Sequence, residues 1–392
     1  MAPSVVSIGG VAVPSADETA YKVVERGHLE YNADNELKGF GKFGQASYPH
    51  YLPTWKLTGP KENGGVYYPL SPYSHTERGL SADPSFPNLL PKGIAKLENL
   101  TPKLGTEVSG IQLSSLSDAG KDELALFVAQ RGVVAFRDQD FADLPIEKAL
   151  EFGGYFGRHH IHPSSGQPEG FPEVHLVHVS AGEGKEAGVF ATRTSSVAWH
   201  SDVTYEHQPP GTTFLYSLDI PVDEHNLYSG GDTAFGDMVE AYNRLSEPFK
   251  QLLHGLKASH SAHEQATASR VRGGIVRREP ITSIHPIVRT HPATGQKALF
   301  VNPQFTRAIV GFKHEESEAL LNFLYNHIAT SIDLQTRVKW KPRTVVVWDN
   351  RRTIHSALRD WSNGARRHIA RITPQAEAPY ETPYVAPAEK KN

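Results

Sequence analysis

The sequence predicts a mainly β protein with flanking helices, a β-sandwich or jelly roll. Three observations predict it. Short apolar runs and apolar–polar alternations recur from residue 94 onward, each bounded by Gly, Pro, Asn or Asp. Only a few segments carry a helical period, and they are dispersed among the strands. No glycine fingerprint opens a helix after a strand, which disfavours a doubly wound dinucleotide-binding fold; "SIGGVAV" near the start is not one.

The elements follow in order. Residues 1–92 are rich in Pro, Gly and Tyr without a sustained period, as in "SYPHYLPTWKLTGPKENGGVYYPLSPYSH". They read as an extended arm with aromatic anchors, packed on the main body or on a neighbouring subunit; for residues 1–20 a partly disordered leader is an equal alternative. The main domain is expected over 93–378 and a proline-rich extended tail over 379–392. "IAKLENLTPKLGTEVSGIQLSSLSD" reads as short strands, "AGKDELALFVAQRG" as an amphipathic helix and "GVVAFRDQDF" as a buried strand. "IEKALEFGGYFG" is a second helix and "TTFLYSLDIP" a strand. "GDMVEAYNRLS" and "EPFKQLLHGL" read as helical, and "KALFVNPQFTRAIV" as strand-like. "HEESEALLNFLYNHIATS", with acids in its first turn, is the best helix. "TVVVWDN" and "RRHIARIT" close the domain as strands.

Composition bounds the function. Hydrophobic residues are 39% and charged residues 21% of the 392, enough for a core and too few charges for a disordered chain. The net charge of −3 gives no field for nucleic acid or an anionic membrane, so any anion must be met by individual arginines. The absence of cysteine excludes disulfides, thiolate metal sites and a cysteine nucleophile, and fits a cytoplasmic enzyme. The start lacks a basic n-region and a long apolar run, so no signal peptide or membrane span is expected. Among 20 histidines and the carboxylates lie the strong metal ligands this chain has to offer.

Four constellations carry chemistry. His200-x-Asp202, in "VAWHSDVTYE", places an imidazole and a carboxylate on one side of an extended segment, a pairing also common by chance. In "VVVWDNRRTIHSALRDW" an apolar strand ends in the turn signal Asp349-Asn350, and His355 follows. Together they make a two-histidine, one-carboxylate set, which suits non-heme Fe(II) and leaves three positions open. In "GARRHIARIT", Arg367 and Arg371 share one strand face while Arg366 and His368 point the other way. Two inward guanidinium groups need two anions; the alternative is an exposed face paired with surface acids. In "YSGGDTAFGDM", Gly230-Gly231 permits a tight turn or a close approach and Thr233 offers a hydroxyl; the alternative is a plain turn.

The order H-x-D, G-G-D-T, W-D-N-R…H and two arginines four apart resembles the taurine dioxygenase group of Fe(II)/2-oxoglutarate-dependent oxygenases, over roughly residues 95–378. "FGRHHIHP", "HPATGQKALFVNPQFT" and "RITPQAE" are also family-like. The N-terminal extension and the "TSS" before the metal segment are most similar to fungal sulfonate dioxygenases. The resemblance implies a double-stranded β-helix (jelly-roll) core, Fe(II) held by His200, Asp202 and His355, and 2-oxoglutarate and O2 as cosubstrates. It implies that Arg367, helped by Thr233, holds the distal carboxylate of 2-oxoglutarate. Arg371, His162 and the Val203 backbone N–H would face the anionic head of a small organic substrate, with Phe305 as an aromatic wall and Ser196 beside it. The reaction implied is hydroxylation of the carbon next to a sulfonate, releasing sulfite, an aldehyde, succinate and CO2.

The chain departs from the family pattern in places. Ser196 and Ser165 stand where taurine-specific members carry an asparagine and a tyrosine near the substrate amine. "DEHNLY", residues 223–228, reads as an insertion. His160 and His162 could be read as a second metal pair, but no carboxylate accompanies them; His159 and His160 are expected to be structural, and His285 and His291 to serve loop geometry. Other readings stay open: the same chemistry on a sulfate ester, a carboxylate or an amino acid; a zinc hydrolase, which leaves Thr233 and the arginine pair unexplained; or a non-catalytic anion-binding module. No nucleic-acid or membrane partner is expected, and the resemblance makes a homodimer or homotetramer the expected assembly.

Overall fold

The fold follows from strands that are apolar on both faces. The computed structural model describes residues 6–8, 11–13, 46–180, 194, 196–222, 225, 228, 230–361 and 365–385. Its strands, in chain order, are β1 (Val6–Ile8), β2 (Val11–Val13), β3 (Lys96–Asn99), β4 (Thr106–Ser109), β5 (Val133–Phe136), β6 (Val174–Val179), β7 (Thr212–Asp219), β8 (Thr233–Asp237), β9 (Lys257–Ser261), β10 (Thr282–Pro286), β11 (Val288–Thr290), β12 (Lys297–Leu299), β13 (Thr306–Ile309), β14 (Gln335–Val338), β15 (Val345–Asp349), β16 (Thr353–Ala357) and β17 (Arg367–Ile372). Seven of them form a sheet in the order β3-β4-β5-β15-β7-β17-β6, antiparallel except for the β4–β5 pair. A three-stranded sheet, β14-β8-β16, faces it.

The pleat explains how these sheets pack. Along β5 and β15 every residue is buried, so both read as continuous apolar runs. Val134, Phe136, Val345, Val347, Phe214 and Ile372 point to one side, where the helices Asp118–Arg131 and Ile146–Gly154 cover them with Leu124, Val128 and Phe152. The alternate residues Val133, Ala135, Val346, Trp348, Leu215 and Ile369 point to the other side and meet Phe235 of β8 and Val338 of β14. A second layer, with the helices Met238–Asn243 and His314–Thr330 and the strands β9 to β13, forms its own core around Met238, Leu299, Leu324 and Ile354. The best helix of the sequence runs over His314–Thr330, and the Glu316 carboxylate accepts the Lys313 backbone N–H at 2.9 Å at its start.

Several expectations need correction. The helix Asp118–Arg131 is not amphipathic, because Glu123 to Ala129 are all buried. Its outer side is covered by residues 78–90, with Gly79 lying against Leu126. Glu123 accepts the backbone N–H groups of Asn88 (2.8 Å) and Leu89 (2.7 Å) and the Asn88 amide (2.6 Å). The stretch 297–310 is two short strands, β12 and β13, separated by a loop that carries Phe305. "GDMVEAYN" begins as the end of β8 before its helix. Strands β6, β9, β10, β11, β14 and β16 and the helix His263–Val271 are among the elements that went unmarked in the sequence.

Residues 46–92 lie on the body of the same chain. Tyr51 is fully buried and its hydroxyl meets that of Tyr216 at 3.1 Å. Thr54 bridges to Gln167, and Tyr73 donates its hydroxyl to the Gln375 carbonyl at 2.5 Å. Most of residues 1–45, four of the six residues of the 223–228 insertion, and residues 386–392 lie outside the described residues.

Glu123→Ala leaves the backbone N–H groups of Asn88 and of the buried Leu89 without their acceptor. A loss of about 2–4 kcal/mol is expected in urea unfolding, together with faster proteolysis within 78–92; an unchanged midpoint contradicts this account of how the arm is held.

Candidate active site

His200, Asp202 and His355 are all buried, and their ligand atoms lie within 4.8 Å of one another. The Asp202 Oδ1 atom is 3.9 Å from His200 Nε2 and 3.7 Å from His355 Nε2, and the two rings are 4.2 Å apart. The backbone sets this up. His200 and His355 exchange two hydrogen bonds, N–H to carbonyl at 3.0 and 2.7 Å, so a single bridge continues the small sheet beyond β16. Asp202 is placed differently from what the sequence suggests. The chain is not extended through H-x-D but turns over residues 202–205, with Val203 at φ 39°, a strained value for a β-branched residue. The Asp202 N–H donates to Asn350 Oδ1 at 2.9 Å, and Asn350 Nδ2 donates to Thr213 at 2.8 Å. The turn signal after β15 therefore also aims the carboxylate.

The protonation states suit a metal. The His200 Nδ1–H donates to the Ala198 carbonyl at 2.8 Å, which leaves its Nε2 lone pair free. Burial lowers the pKa of both rings, that of His355 to about 3 with His200 adding to the effect, so both are neutral. Burial alone would raise Asp202, but the Arg371 guanidinium, together with the two histidines and Asn350, outweighs it and the carboxyl falls to about 2. Arg371 donates to Asp202 Oδ1 at 2.6 Å, whereas Asp202 Oδ2 is buried without a hydrogen-bond partner. Two neutral imidazoles and one ionised carboxylate with an oxygen to spare fit Fe(II). A second cluster, His75, Glu77 and Glu377, does not offer comparable ligands, because Arg351 sits against both of its carboxylates.

The three residues open onto a cavity of about 960 Å³. Thr233, Arg367 and Arg371 line it, as do His162, Val203 and Phe305. Arg367 is buried and forms no ion pair with a carboxylate among the described residues; burial, with Arg359 nearby, pushes its pKa down to about 9. Its Nε–H donates to the Gly231 carbonyl at 2.9 Å. Gly231 has φ 74°, and a Cβ there would lie 3.0 Å from Arg367 Nε, so the glycine pair serves a close approach. The Thr233 hydroxyl oxygen accepts the Trp340 indole N–H at 3.2 Å. The alternation expected for the arginine strand holds: Arg366 and His368 point away from the cavity, towards His178 and the Tyr51 carbonyl.

His162 accepts the Ser164 N–H (3.2 Å) and the Ser165 hydroxyl (2.8 Å) on Nδ1, so its proton resides on Nε2. Phe305 stands 6.1 Å from His200, ring to ring. Ser196 is not among the lining residues; its hydroxyl accepts the Arg359 backbone N–H at 3.1 Å, which ties the segment before His200 to the chain beyond β16. His159, His160 and His291 make other bonds, to the Leu150 carbonyl, Glu206 and Asp349. His285 lies within β10 rather than a loop and bonds the Glu206 carbonyl. Sequence reasoning missed Asn350 as a positioning group and, among other lining residues, Trp55 and His175. The alternation in "EVHLVHVS" could have shown His175; nothing in the arm distinguishes Trp55.

A family model described as taurine catabolism dioxygenase TauD, TfdA family matches residues 96–373. The chain is 49% identical over 340 residues to an alpha-ketoglutarate-dependent sulfonate dioxygenase of Saccharomyces cerevisiae, covering 86% of this chain and 80% of that protein. It is 43% identical over 335 residues to the alpha-ketoglutarate-dependent dioxygenase cnsM of Penicillium expansum, covering 85% and 90%. Among solved structures, a taurine dioxygenase from Burkholderia xenovorans superposes with a TM-score of 0.59 at 30% identity, over 73% of this chain and 91% of that one.

Gly231→Ala forces a Cβ against Arg367 in a left-handed conformation. It is expected to cost about 2–3 kcal/mol in chemical denaturation. Gly64→Ala, also at positive φ but in open space, should cost about 1 kcal/mol; equal losses would remove the steric role assigned to Gly231.

Proposed function

The chain belongs to the TauD/TfdA dioxygenase family, and from that premise we propose that it hydroxylates the carbon next to the sulfonate of a small organosulfonate. It is an Fe(II)- and 2-oxoglutarate-dependent dioxygenase that uses O2. In this reading the two facing sheets are a jelly roll, with His200, Asp202 and His355 as the iron ligands. One observation carries the assignment of roles: two buried arginines four residues apart on β17 line the same cavity as the ligand trio.

Iron, when bound there, supplies the activation of O2 that is coupled to oxidative decarboxylation of 2-oxoglutarate. The protein's own residues bind and orient. Arg367, a buried cation without a carboxylate partner among the described residues, receives the distal carboxylate of 2-oxoglutarate bidentately. The Thr233 oxygen already accepts from Trp340, so its O–H is left to donate to the same carboxylate. Arg371, the His162 Nε2–H and the Val203 N–H hold the substrate's anionic head, and Phe305 closes one wall and excludes water. Fixing the head fixes the neighbouring C–H bond relative to the metal. The α-hydroxysulfonate formed collapses to an aldehyde and sulfite, and the cosubstrate leaves as succinate and CO2. A zinc hydrolase would leave the arginine pair and Thr233 without a task.

Anaerobic addition of Fe(II) and 2-oxoglutarate is expected to produce a visible charge-transfer band that shifts when an alkanesulfonate is added. With O2, sulfite and succinate should form in equal amounts. No band would overturn the reading. Asp202→Ala should abolish both the band and turnover. Loss of one bidentate pair at either arginine is worth about two orders of magnitude: Arg371→Ala should raise the substrate KM that far with 2-oxoglutarate binding retained, and Arg367→Ala should do the reverse. Equal effects on both ligands would contradict the division of roles.

A further inference from the structure

Among the polar residues that line the cavity without an assigned role is His175, on the edge strand β6. It stands directly opposite Arg371 in the antiparallel β6–β17 register and, with Val177 and Val179, lines the cavity from that edge. Its Nδ1 is in hydrogen-bond contact with an Arg371 terminal nitrogen. A guanidinium only donates, so Nδ1 accepts and the proton of the neutral ring resides on Nε2. Burial, reinforced by the Arg371 charge, keeps that ring neutral. The His162 ring lies 4.4 Å away, also with Nδ1 committed as an acceptor. Neither Nε2 has a partner among the described residues, and both rings border the cavity.

We infer that His175 is a substrate-binding, specificity-determining residue whose Nε2–H donates to a sulfonate oxygen, so that the side chains of Arg371, His162 and His175 together form a cradle for a three-oxygen head. Arg371 is fixed in the middle, with NH1 on Asp202 and NH2 on His175, and each terminal nitrogen keeps one further N–H. Those two N–H groups match two oxygens of an anion. A planar carboxylate is then satisfied, whereas the third oxygen of a sulfonate or sulfate ester needs a donor from outside the guanidinium plane. A neighbouring pair of neutral imidazoles, their planes tilted by 51°, supplies it without adding charge. Leaving such a donor opposite a carboxylate carbon would leave a buried N–H unpaired, which disfavours that substrate.

The inference rests on the reading that Arg371 faces the substrate head, and its test separates the two. Dissociation constants for hexanesulfonate and heptanoate are read from the shift of the anaerobic Fe(II)–2-oxoglutarate band in the wild-type enzyme, His175→Asn and His175→Leu. Asparagine keeps an acceptor for Arg371 and removes the distal donor; leucine removes both. His175→Asn is expected to weaken hexanesulfonate about tenfold, to change heptanoate less than twofold, and to leave the band and 2-oxoglutarate affinity unchanged. His175→Leu should weaken both anions. If His175→Asn binds both anions as the wild type does, His175 only positions Arg371 and the inference fails while the sulfonate reading stands. If the wild-type enzyme itself prefers heptanoate, the sulfonate reading fails and the cradle with it.

Discussion

A carboxylate buried between sheets is the constraint that the rest of the site answers to. Asp202 is 2% exposed, and an ionised group so placed costs several kcal/mol unless charges and donors surround it. Arg371 on β17 meets that need at one oxygen, Asn350 fixes the backbone that carries the carboxylate, and the paired histidines leave room for a cation on the remaining oxygen. The turn after β15 extends the solution through the molecule. Asp349 holds Arg351 and His291, Asn350 holds Asp202, Arg351 reaches Glu77 of the arm and Glu377 just before the tail, and Arg352 reaches Asp237 and the Ala129 carbonyl at the end of the first helix. Four consecutive residues thus tie the arm, the chain just before the tail, the helix and the ligand to one another. Burial of the Asp349–Arg351 pair is tolerable because every remaining lone pair finds a partner, the condition under which a buried ion pair specifies geometry.

The sequence showed most clearly what is local. β5 and β15 announce themselves as continuous apolar runs because both faces are buried, and β17 announces its two-faced character because its two arginines, four residues apart, fall on one face. His200, Asp202, His355, Arg367 and Arg371 were legible because their order along the chain is distinctive, and all five line one cavity. What failed to show is what depends on contacts across long separations. The helix Asp118–Arg131 looks one-faced until the arm covers its second face. The aim of Asp202 comes from Asn350, 148 residues away, and not from the strand pleat assumed for H-x-D. Ser196 shares a segment with the ligands, yet its hydroxyl is committed to the backbone of Arg359. None of these leaves a periodic trace, since each is a pairwise hydrogen bond or a packing contact made only after the sheets assemble.

The two ends of the cavity are built from different material, and this explains why family resemblance speaks more firmly about cosubstrate than about substrate. The end proposed for 2-oxoglutarate combines Gly231, Thr233 and Arg367, which one strand from each of the two facing sheets and one glycine turn deliver together. A side chain added at Gly231 would displace the guanidinium, so this end tolerates little variation. The substrate end is assembled from the edge strand β6, the turn at 162–165 and Trp55 of the arm, which lies outside the span matched by the family model. These residues touch neither Asp202 nor the histidine bridge, apart from His175 through Arg371. A change in size or polarity among them alters the shape and donors offered to a substrate while the buried charge at the centre keeps its partners. Selectivity can therefore reside in the edge strand and the arm, and reactivity in the core, with Arg371 as the single side chain that belongs to both: one terminal nitrogen on the metal-ligand carboxylate, the other on the imidazole at the substrate end.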